Sequence, residues 1–150
     1  MGLFADMFAT TSREKLVYSA LTHTTGGRQN GRSRSSDGRL DIELSIPGER
    51  GAGTNPEQLF AAGWSACFED AMADAARKRR IRLPADTAID AEVDLNRKVA
   101  DGTYFLCARL IVSLPGVDRE LVRAIVNEAH QLCPYSQATR GNIDVAIYLV

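Results

Sequence analysis

The fold of this chain is decided by residues 88–114, which read AIDAEVDLNRKVADGTYFLCARLIVSL. Apolar side chains occupy every second position over 89–95, and acidic residues stand between them. The pair Asp101-Gly102 is typical of a tight turn, and the alternation resumes over 106–114. Because a strand points successive side chains to opposite faces of a sheet, this stretch predicts a β-hairpin with one buried and one solvated face.

Further strands are predicted on both sides of this hairpin by the same alternation. Apolar residues alternate over 40–46 and over 143–149, and Asp37-Gly38 predicts a turn that joins the former to a strand around 32–35. Residues 16–25 give a weaker indication of a strand. Strands in hairpin pairs that are separated by single helices predict an α+β domain with a largely antiparallel sheet.

Two helices are predicted between these strands. The first begins at Asn55-Pro56, a helix cap followed by proline at the first helical position, and runs toward Arg80. It is apolar or small nearly all round over 59–68, which predicts that this half is buried. The second helix opens at Asp118, and Pro134 disfavours helical geometry in the residue before it.

The composition is that of an ordinary globular protein. The 150 residues are 45% hydrophobic and 25% charged with a formal net charge of −1, which suits one domain and disfavours a broad nucleic-acid surface. No apolar run approaches the roughly 20 residues of a membrane span, and we expect no targeting segment. Three cysteines are too few for a disulfide-stapled secreted scaffold, so we expect a cytoplasmic protein.

The three cysteines occupy different positions in these predicted elements. Cys67 and Cys133 fall on inward faces of the two helices, whereas Cys107 lies on the solvated face of its strand. Buried cysteines commonly act as small hydrophobic residues, and spacing alone favours that interpretation. A redox pair is one alternative, and a zinc site that adds His130 and His23 is another.

Two long motifs contain the inward cysteines. The first is NPEQLFAAGWSACF over 55–68, and the second is CPYSQATRGNIDV over 133–145. Three shorter motifs follow the same order, namely TGGR at 25–28, SDG at 36–38 and VSLPGV at 112–117. Together they resemble the OsmC/Ohr family, in its organic hydroperoxide resistance (Ohr) branch. The resemblance covers roughly residues 15–150 as one domain, with an N-terminal extension at 1–14.

The resemblance implies a cysteine-based peroxidase that reduces organic hydroperoxides to alcohols. Cys67 would attack the peroxide as a thiolate and become a sulfenic acid, and Cys133 would resolve it into a Cys67–Cys133 disulfide. Arg28 would stabilise the thiolate, and Glu57 would hold Arg28 in place. The arginine would supply the cation that a buried thiol needs, because burial alone raises the pKa of a cysteine.

The resemblance also implies a fold and partners. The expected fold is an intertwined homodimer in which antiparallel sheets wrap around long central helices. No bound cofactor or metal is expected, and dihydrolipoamide or a lipoylated protein would reduce the disulfide. Apolar residues are expected to form the pocket for a fatty-acid or aryl hydroperoxide. These pocket residues are Phe60, Trp64, Phe68, Met72 and Tyr135.

Three features of this chain bear on that resemblance. Glu57 and Cys67 are about 15 Å apart along a straight helix, too far for one arginine to contact both, so we expect a break or kink at 61–63. Asp70 stands where the family usually has an apolar or small residue, and its charge would raise the pKa of the thiol. We expect Asp70 to pair with an arginine or to face a dimer surface. Trp64, where the family more often has tyrosine, is expected to reshape the pocket wall.

Two other functions stay open at this point. One is an OsmC-like peroxidase with a broader preference among peroxides. The other is a binding or sensing domain that keeps the fold and has lost turnover through the acidic pair Glu69 and Asp70. Relative rates with organic hydroperoxide and hydrogen peroxide separate the first from an Ohr-type enzyme, and peroxide-dependent consumption of dihydrolipoamide separates the second.

Overall fold

The computed structural model of the protein describes residues 14–150, so nearly all of the predicted extension at 1–14 lies outside the described residues. The chain divides into two compact units, one ending at Thr54 and the other covering Asn55–Val150. The first unit contains β1 (Thr22–Thr25), α1 (Gly27–Asn30), β2 (Arg32–Ser35) and β3 (Asp41–Glu43). The second contains α2 (Pro56–Lys78), β4 (Ala88–Arg97), β5 (Tyr104–Ser113), α3 (Arg119–Leu132), α4 (Pro134–Thr139) and β6 (Asp144–Leu149). No helix in the described part of the chain is long and apolar enough to cross a membrane.

The first unit is an antiparallel sheet in the order β1-β2-β3. Its strands are shorter than the alternation predicts, because β1 uses only the end of the 16–25 segment and β3 covers only Asp41–Glu43. Gly26 and Gly27 have φ angles of 73° and 65°, which residues with a Cβ adopt at a cost. The chain therefore turns sharply after β1 and enters α1, where Arg28 is the second residue.

α2 begins as the sequence predicts and continues without interruption. The side-chain oxygen of Asn55 accepts a hydrogen bond from the backbone N–H of Gln58 at 2.9 Å, and Pro56 occupies the first turn. The helix then runs for 23 residues. The expected break at 61–63 is wrong, because one glycine costs a helix only about 1 kcal/mol relative to alanine, whereas the alternative of a kink there stays a prediction. That cost is too small to interrupt a long, well-packed helix.

The apolar half of α2 is buried on one side only. Trp64 and Phe68 are completely buried, whereas Ala62 and Ala66 are exposed in this chain. The prediction of burial all round over 59–68 is therefore wrong for the single chain. α3 and the sheet cover one side of the helix, and the exposed alanines lie outside that contact.

The sheet of the second unit has the order β4-β5-β6. β4 and β5 pair antiparallel around the predicted Asp101-Gly102 turn, with Ile89 opposite Val112. β6 pairs with β5 in parallel, so this sheet is only partly antiparallel. The difference arises from the connection, since α3 and α4 form a crossover that returns the chain to the same end of the sheet.

The core of the second unit lies between one face of this sheet and the helices α2 and α3. The largest completely buried hydrophobic side chains are Trp64, Phe68, Met72, Leu110, Val112 and Ile125. On the opposite face, Arg109 donates hydrogen bonds to Glu92 and Asp94. Cys107 lies on that outward face, opposite Asp94 of β4 and Asp144 of β6, as the alternation predicts.

α3 begins at its predicted cap. The carboxylate of Asp118 accepts two hydrogen bonds at 3.1 Å from backbone N–H groups of the first turn. The helix ends at Leu132, and Cys133 adopts an extended conformation with φ −62° and ψ 122°. The short helix α4 follows at once and was not predicted from the sequence. Proline disfavours a helical residue before it but fits the first turn of a new helix.

Candidate active site

Two parts of the second unit bring Cys67 and Cys133 together. Cys67 lies in the middle of α2, and Cys133 is the extended residue between α3 and α4, which both pack on α2. The thiol of Cys133 donates a hydrogen bond to Sγ of Cys67 at 3.6 Å. Both cysteines are free, and the sulfurs of a disulfide are about 2.05 Å apart. A displacement of less than 2 Å would therefore bring the sulfurs to bonding distance, a proximity that sequence spacing could not establish.

The surroundings of Cys67 disfavour its charged form. Burial is the main factor that raises the pKa of the Cys67 thiol, and the neighbouring Cys133 and the carboxylate of Asp70 act in the same direction. The backbone N–H of Tyr135 acts in the opposite direction, because it donates a hydrogen bond to the sulfur. This N–H, at the start of α4, favours the thiolate that a nucleophilic cysteine needs.

Aromatic side chains link α2 to α4 beside the thiol pair. The indole Nε1 of Trp64 donates a hydrogen bond to Oγ of Ser136 at 3.3 Å, and both residues are completely buried. The ring of Phe60 meets the rings of Trp64 and Tyr135 edge-on, with centroids 5.5 and 5.9 Å away. A Cβ on Gly63 would lie 2.7 Å from the hydroxyl oxygen of Tyr135. The absence of a side chain at Gly63 therefore makes room for the tyrosine.

The residues predicted to line a substrate pocket lie at different depths. Trp64, Phe68 and Met72 are completely buried in the core. Phe60 is half-buried and Tyr135 is 36% exposed. Phe60 and Tyr135 are therefore the two pocket residues that a small molecule can touch directly in this chain.

Ser136 was not predicted as a site residue from the sequence, and Gly63 was expected to matter only as a place where the helix could break. A serine three residues after a buried cysteine is a candidate for burial as well. Buried hydroxyl groups are almost always hydrogen-bonded, so such a serine signals a buried hydrogen-bond partner. The identity of that partner depends on how α4 packs against α2. Local spacing therefore could not reveal it.

Arg28 and Glu57 lie in different units of the chain. Arg28 belongs to α1, and Glu57 lies in the first turn of α2, where a carboxylate suits the positive end of the helix dipole. Because α2 is continuous, about 15 Å of helix rise separates Glu57 from Cys67. A guanidinium held by Glu57 therefore cannot also contact the cysteine on the same helix. The roles expected for Arg28 and Glu57 stay predictions.

Two titratable residues stand near the thiol pair. Asp70 is exposed and, within residues 14–150, forms no ion pair, so the expected arginine partner is not found there. The imidazole ring of His130 packs against the ring of Phe68, with centroids 6.5 Å apart. Its Nδ1 is buried and has no hydrogen-bond partner in the described part of the chain. Burial lowers the pKa of this histidine. No group of three His, Cys, Asp or Glu residues in the described part of the chain could hold a metal ion. The zinc alternative therefore has no ligand set there.

The fold and the site together define an α+β protein with two cysteines within reach of each other. A family model described as OsmC-like protein matches residues 47–147. The organic hydroperoxide resistance protein of Xanthomonas axonopodis pv. citri is 46% identical over 142 residues, which cover 92% of this chain and 98% of that protein. The chain therefore belongs to the OsmC-like family.

Solved structures agree with this assignment. The crystal structure of the organic hydroperoxide resistance protein OhrB of Bacillus subtilis is 40% identical with a TM-score of 0.83, and the match covers 89% of this chain and 98% of that chain. An organic hydroperoxide resistance protein from Elizabethkingia anophelis, crystallised with thiocyanate bound, is 37% identical with a TM-score of 0.81 and coverages of 91% and 98%. The resemblance to the Ohr branch that the motifs indicated is confirmed.

Proposed function

We propose that this protein is a thiol peroxidase that reduces organic hydroperoxides to alcohols. The proposal is carried by the 3.6 Å separation between the sulfurs of Cys67 and Cys133. It is supported by the similarity to proteins named organic hydroperoxide resistance proteins. Cys67 is partly accessible and Cys133 is completely buried, so Cys67 is the thiol that meets the substrate first.

The proposed reaction oxidises the two thiols while it reduces one hydroperoxide. The thiolate of Cys67 attacks the outer peroxide oxygen, an S–O bond forms, and the O–O bond breaks. The leaving alkoxide takes a proton and becomes the alcohol, and Cys67 becomes a sulfenic acid. Cys133 then attacks the sulfur of Cys67, so that the S–S bond forms and the hydroxyl group leaves as water.

The apolar surroundings of the thiol pair favour an organic substrate. Phe60 and Tyr135 offer aromatic surface beside Cys67, and the core residues behind them exclude water. A fatty-acid or aryl group gains free energy when it leaves water for such a surface, whereas hydrogen peroxide has no apolar group to bury. We therefore expect faster turnover with cumene hydroperoxide than with hydrogen peroxide.

We assign Arg28 and Glu57 to the same site, in a homodimer. A thiolate in these surroundings needs a cation, and the continuous α2 separates Glu57 from Cys67 of the same chain. The Glu57 that holds the arginine at a given Cys67 would therefore belong to a second copy. Ala62 and Ala66 support such a dimer, because they are exposed small apolar side chains one turn apart on α2, where a second helix could approach closely.

The proposed cycle closes when a dithiol reduces the disulfide. We assign this step to dihydrolipoamide or a lipoylated protein in the cytoplasm, with no cofactor resident in the protein. Reduction by thiol–disulfide exchange passes through a mixed disulfide. Because Cys133 is completely buried, the incoming thiolate would attack the sulfur of Cys67.

The test is reduction of cumene hydroperoxide coupled to oxidation of dihydrolipoamide. The wild type should turn over repeatedly, Cys67→Ser should be inactive, and Cys133→Ser should stop after one turnover because no disulfide forms. Cys107→Ser is the matched control, since that thiol lies on the outward face of the sheet, and it should keep the wild-type rate. Sustained wild-type turnover by Cys133→Ser would show that the resolving role is wrong.

The same assay separates the alternative functions. Equal rates with cumene hydroperoxide and hydrogen peroxide would indicate an OsmC-like peroxidase of broader preference. Oxidation of Cys67 without repeated turnover would indicate a sensing domain. The exposed Asp70, whose charge raises the pKa of Cys67, is the observation that favours the sensing alternative.

A further inference from the structure

The proposed chemistry does not use the hydrogen bond between Trp64 and Ser136. It joins α2 to α4 with both partners completely buried. Trp64 precedes Cys67 by three residues on α2, and Ser136 follows Cys133 by three. Trp64 and Cys67 are neighbours on one face of α2, and Ser136 lies in the first turn of the helix that Cys133 precedes, so the bond joins the two segments that carry the sulfurs.

α4 is a compact turn whose position depends on a few contacts. The hydroxyl of Thr139 donates to two carbonyl groups at the start of α4, at 2.9 and 3.2 Å, which holds the turn together. The amide of Gln137 donates to two carbonyl groups at the end of α3, both at 3.1 Å. Toward α2, the backbone N–H of Tyr135 donates to the sulfur of Cys67, and Trp64 donates the buried side-chain bond to Ser136. Of these two bonds, the one between Trp64 and Ser136 joins side chains, so a substitution can remove it while the backbone contact stays in place.

We propose that the Trp64–Ser136 hydrogen bond is a clamp that positions Cys133 against Cys67, and that it decides the fate of oxidised Cys67. The inference rests on the proposed function. Trp64 and Ser136 are positioning residues, because they act through the place of Cys133. The indole thus has a role in addition to the change in pocket wall expected from the sequence.

The sulfenic acid of Cys67 has two competing fates. Attack by the thiol of Cys133 forms the S–S bond and releases water. Oxygen transfer from a second hydroperoxide molecule instead forms the sulfinic acid and releases a second alcohol. The first reaction is intramolecular, so its rate depends on how well Cys133 is held, whereas the second depends on the hydroperoxide concentration. Loosening the clamp therefore favours over-oxidation.

The experiment compares Trp64→Phe, which keeps an aromatic ring and removes the donor, with Ser136→Ala and with the double variant. After a pulse of cumene hydroperoxide, mass spectrometry measures the over-oxidised fraction of Cys67 relative to the disulfide. Each single variant should raise this ratio about fivefold, the equilibrium factor of one typical net hydrogen bond. The double variant should add nothing further, because one bond is lost in all three.

A control separates the clamp from general loss of stability. Ile125→Val removes one methyl group from a completely buried side chain of α3 and should leave the ratio at its wild-type value. An unchanged ratio in both single variants, or effects that add in the double variant, would overturn the clamp.

A second measurement does not require peroxidase activity. Each protein is equilibrated with mixtures of reduced and oxidised dithiothreitol, and the Cys67–Cys133 disulfide is quantified. Loss of the clamp should shift this equilibrium about fivefold toward the dithiol, because the two sulfurs are less well held together. An unshifted equilibrium overturns the clamp. A shifted equilibrium in a protein that consumes no hydroperoxide overturns the proposed function and leaves the clamp in place.

Discussion

Replacing Gly63 by alanine measures how tightly Tyr135 is fitted against α2. The new Cβ would lie 2.7 Å from the hydroxyl oxygen of Tyr135 and 3.2 Å from its Cζ, which is too close. The clash involves the far end of a side chain that is 36% exposed. We therefore expect the tyrosine ring to swing outward while the backbone stays in place.

The energies of this substitution nearly cancel. Alanine favours a helix interior by about 1 kcal/mol over glycine. Moving the Tyr135 ring away from Phe60, where the centroids are 5.9 Å apart, costs about 0.5–1.5 kcal/mol. Gly63→Ala should therefore change the free energy of unfolding by less than about 1 kcal/mol. It should raise the KM for cumene hydroperoxide, because the aromatic surface beside the thiol moves.

Urea denaturation and steady-state kinetics measure the two effects. Tyr135→Phe is the matched background, because it removes the hydroxyl that meets the new Cβ at 2.7 Å. In that background Gly63→Ala should recover most of the gain of about 1 kcal/mol expected for alanine. A loss of more than about 3 kcal/mol from Gly63→Ala alone would refute the reasoning, since it would show that the ring cannot move.

Three further predictions concern charge, packing and pH. Asp70→Asn should lower the pKa of Cys67, because a carboxylate about 6 Å away contributes about 0.7 kcal/mol in a water-like dielectric. At a pH below that pKa, iodoacetamide should therefore label Cys67 about threefold faster in the variant than in the wild type. Glu69→Gln is the control and should have a weaker effect. Leu110→Ala should lower the free energy of unfolding by about 2–5 kcal/mol in urea, because the side chain is completely buried in β5. His130 has a lowered pKa, so the unfolded chain binds its proton more readily and the folded protein should lose stability as the pH falls below about 6.5. The free energy of unfolding of the wild type should be lower at pH 5.5 than at pH 7.5, and this difference should be smaller in His130→Gln. An equal difference in the two proteins would contradict the prediction.

Features set by neighbouring residues could be predicted from the sequence. The cap at Asn55, the cap at Asp118 and the Asp101-Gly102 hairpin all depend on groups a few residues apart, and all are present. The prediction of a break at 61–63 was wrong because the low helix propensity of one glycine, about 1 kcal/mol, is outweighed by the packing of α2 in the core. The parallel β6 could not be predicted from alternation, because alternating side chains do not specify strand direction.

The candidate site divides in the same way. The motifs around Cys67 and Cys133 supplied the candidate residues, but their separation of 3.6 Å depends on the packing of α3 and α4 against α2. Trp64 and Ser136 are 72 residues apart along the chain, so no local pattern connects them. Pairing at this range depends on how the whole core packs, and the spacing of residues along the chain carries no information about that.

The outward position of Cys107 has a consequence for how the protein can be made. In an unfolded chain, the chance that two residues meet falls with the length of chain between them. Cys67 and Cys133 are 66 positions apart, and Cys107 lies between them, so either wrong partner is nearer than the right one. An oxidant that arrives before folding would therefore favour bridges to Cys107. Newly made chains should need to fold with their thiols reduced, since only the folded state brings Cys67 closer to Cys133 than either of them is to Cys107.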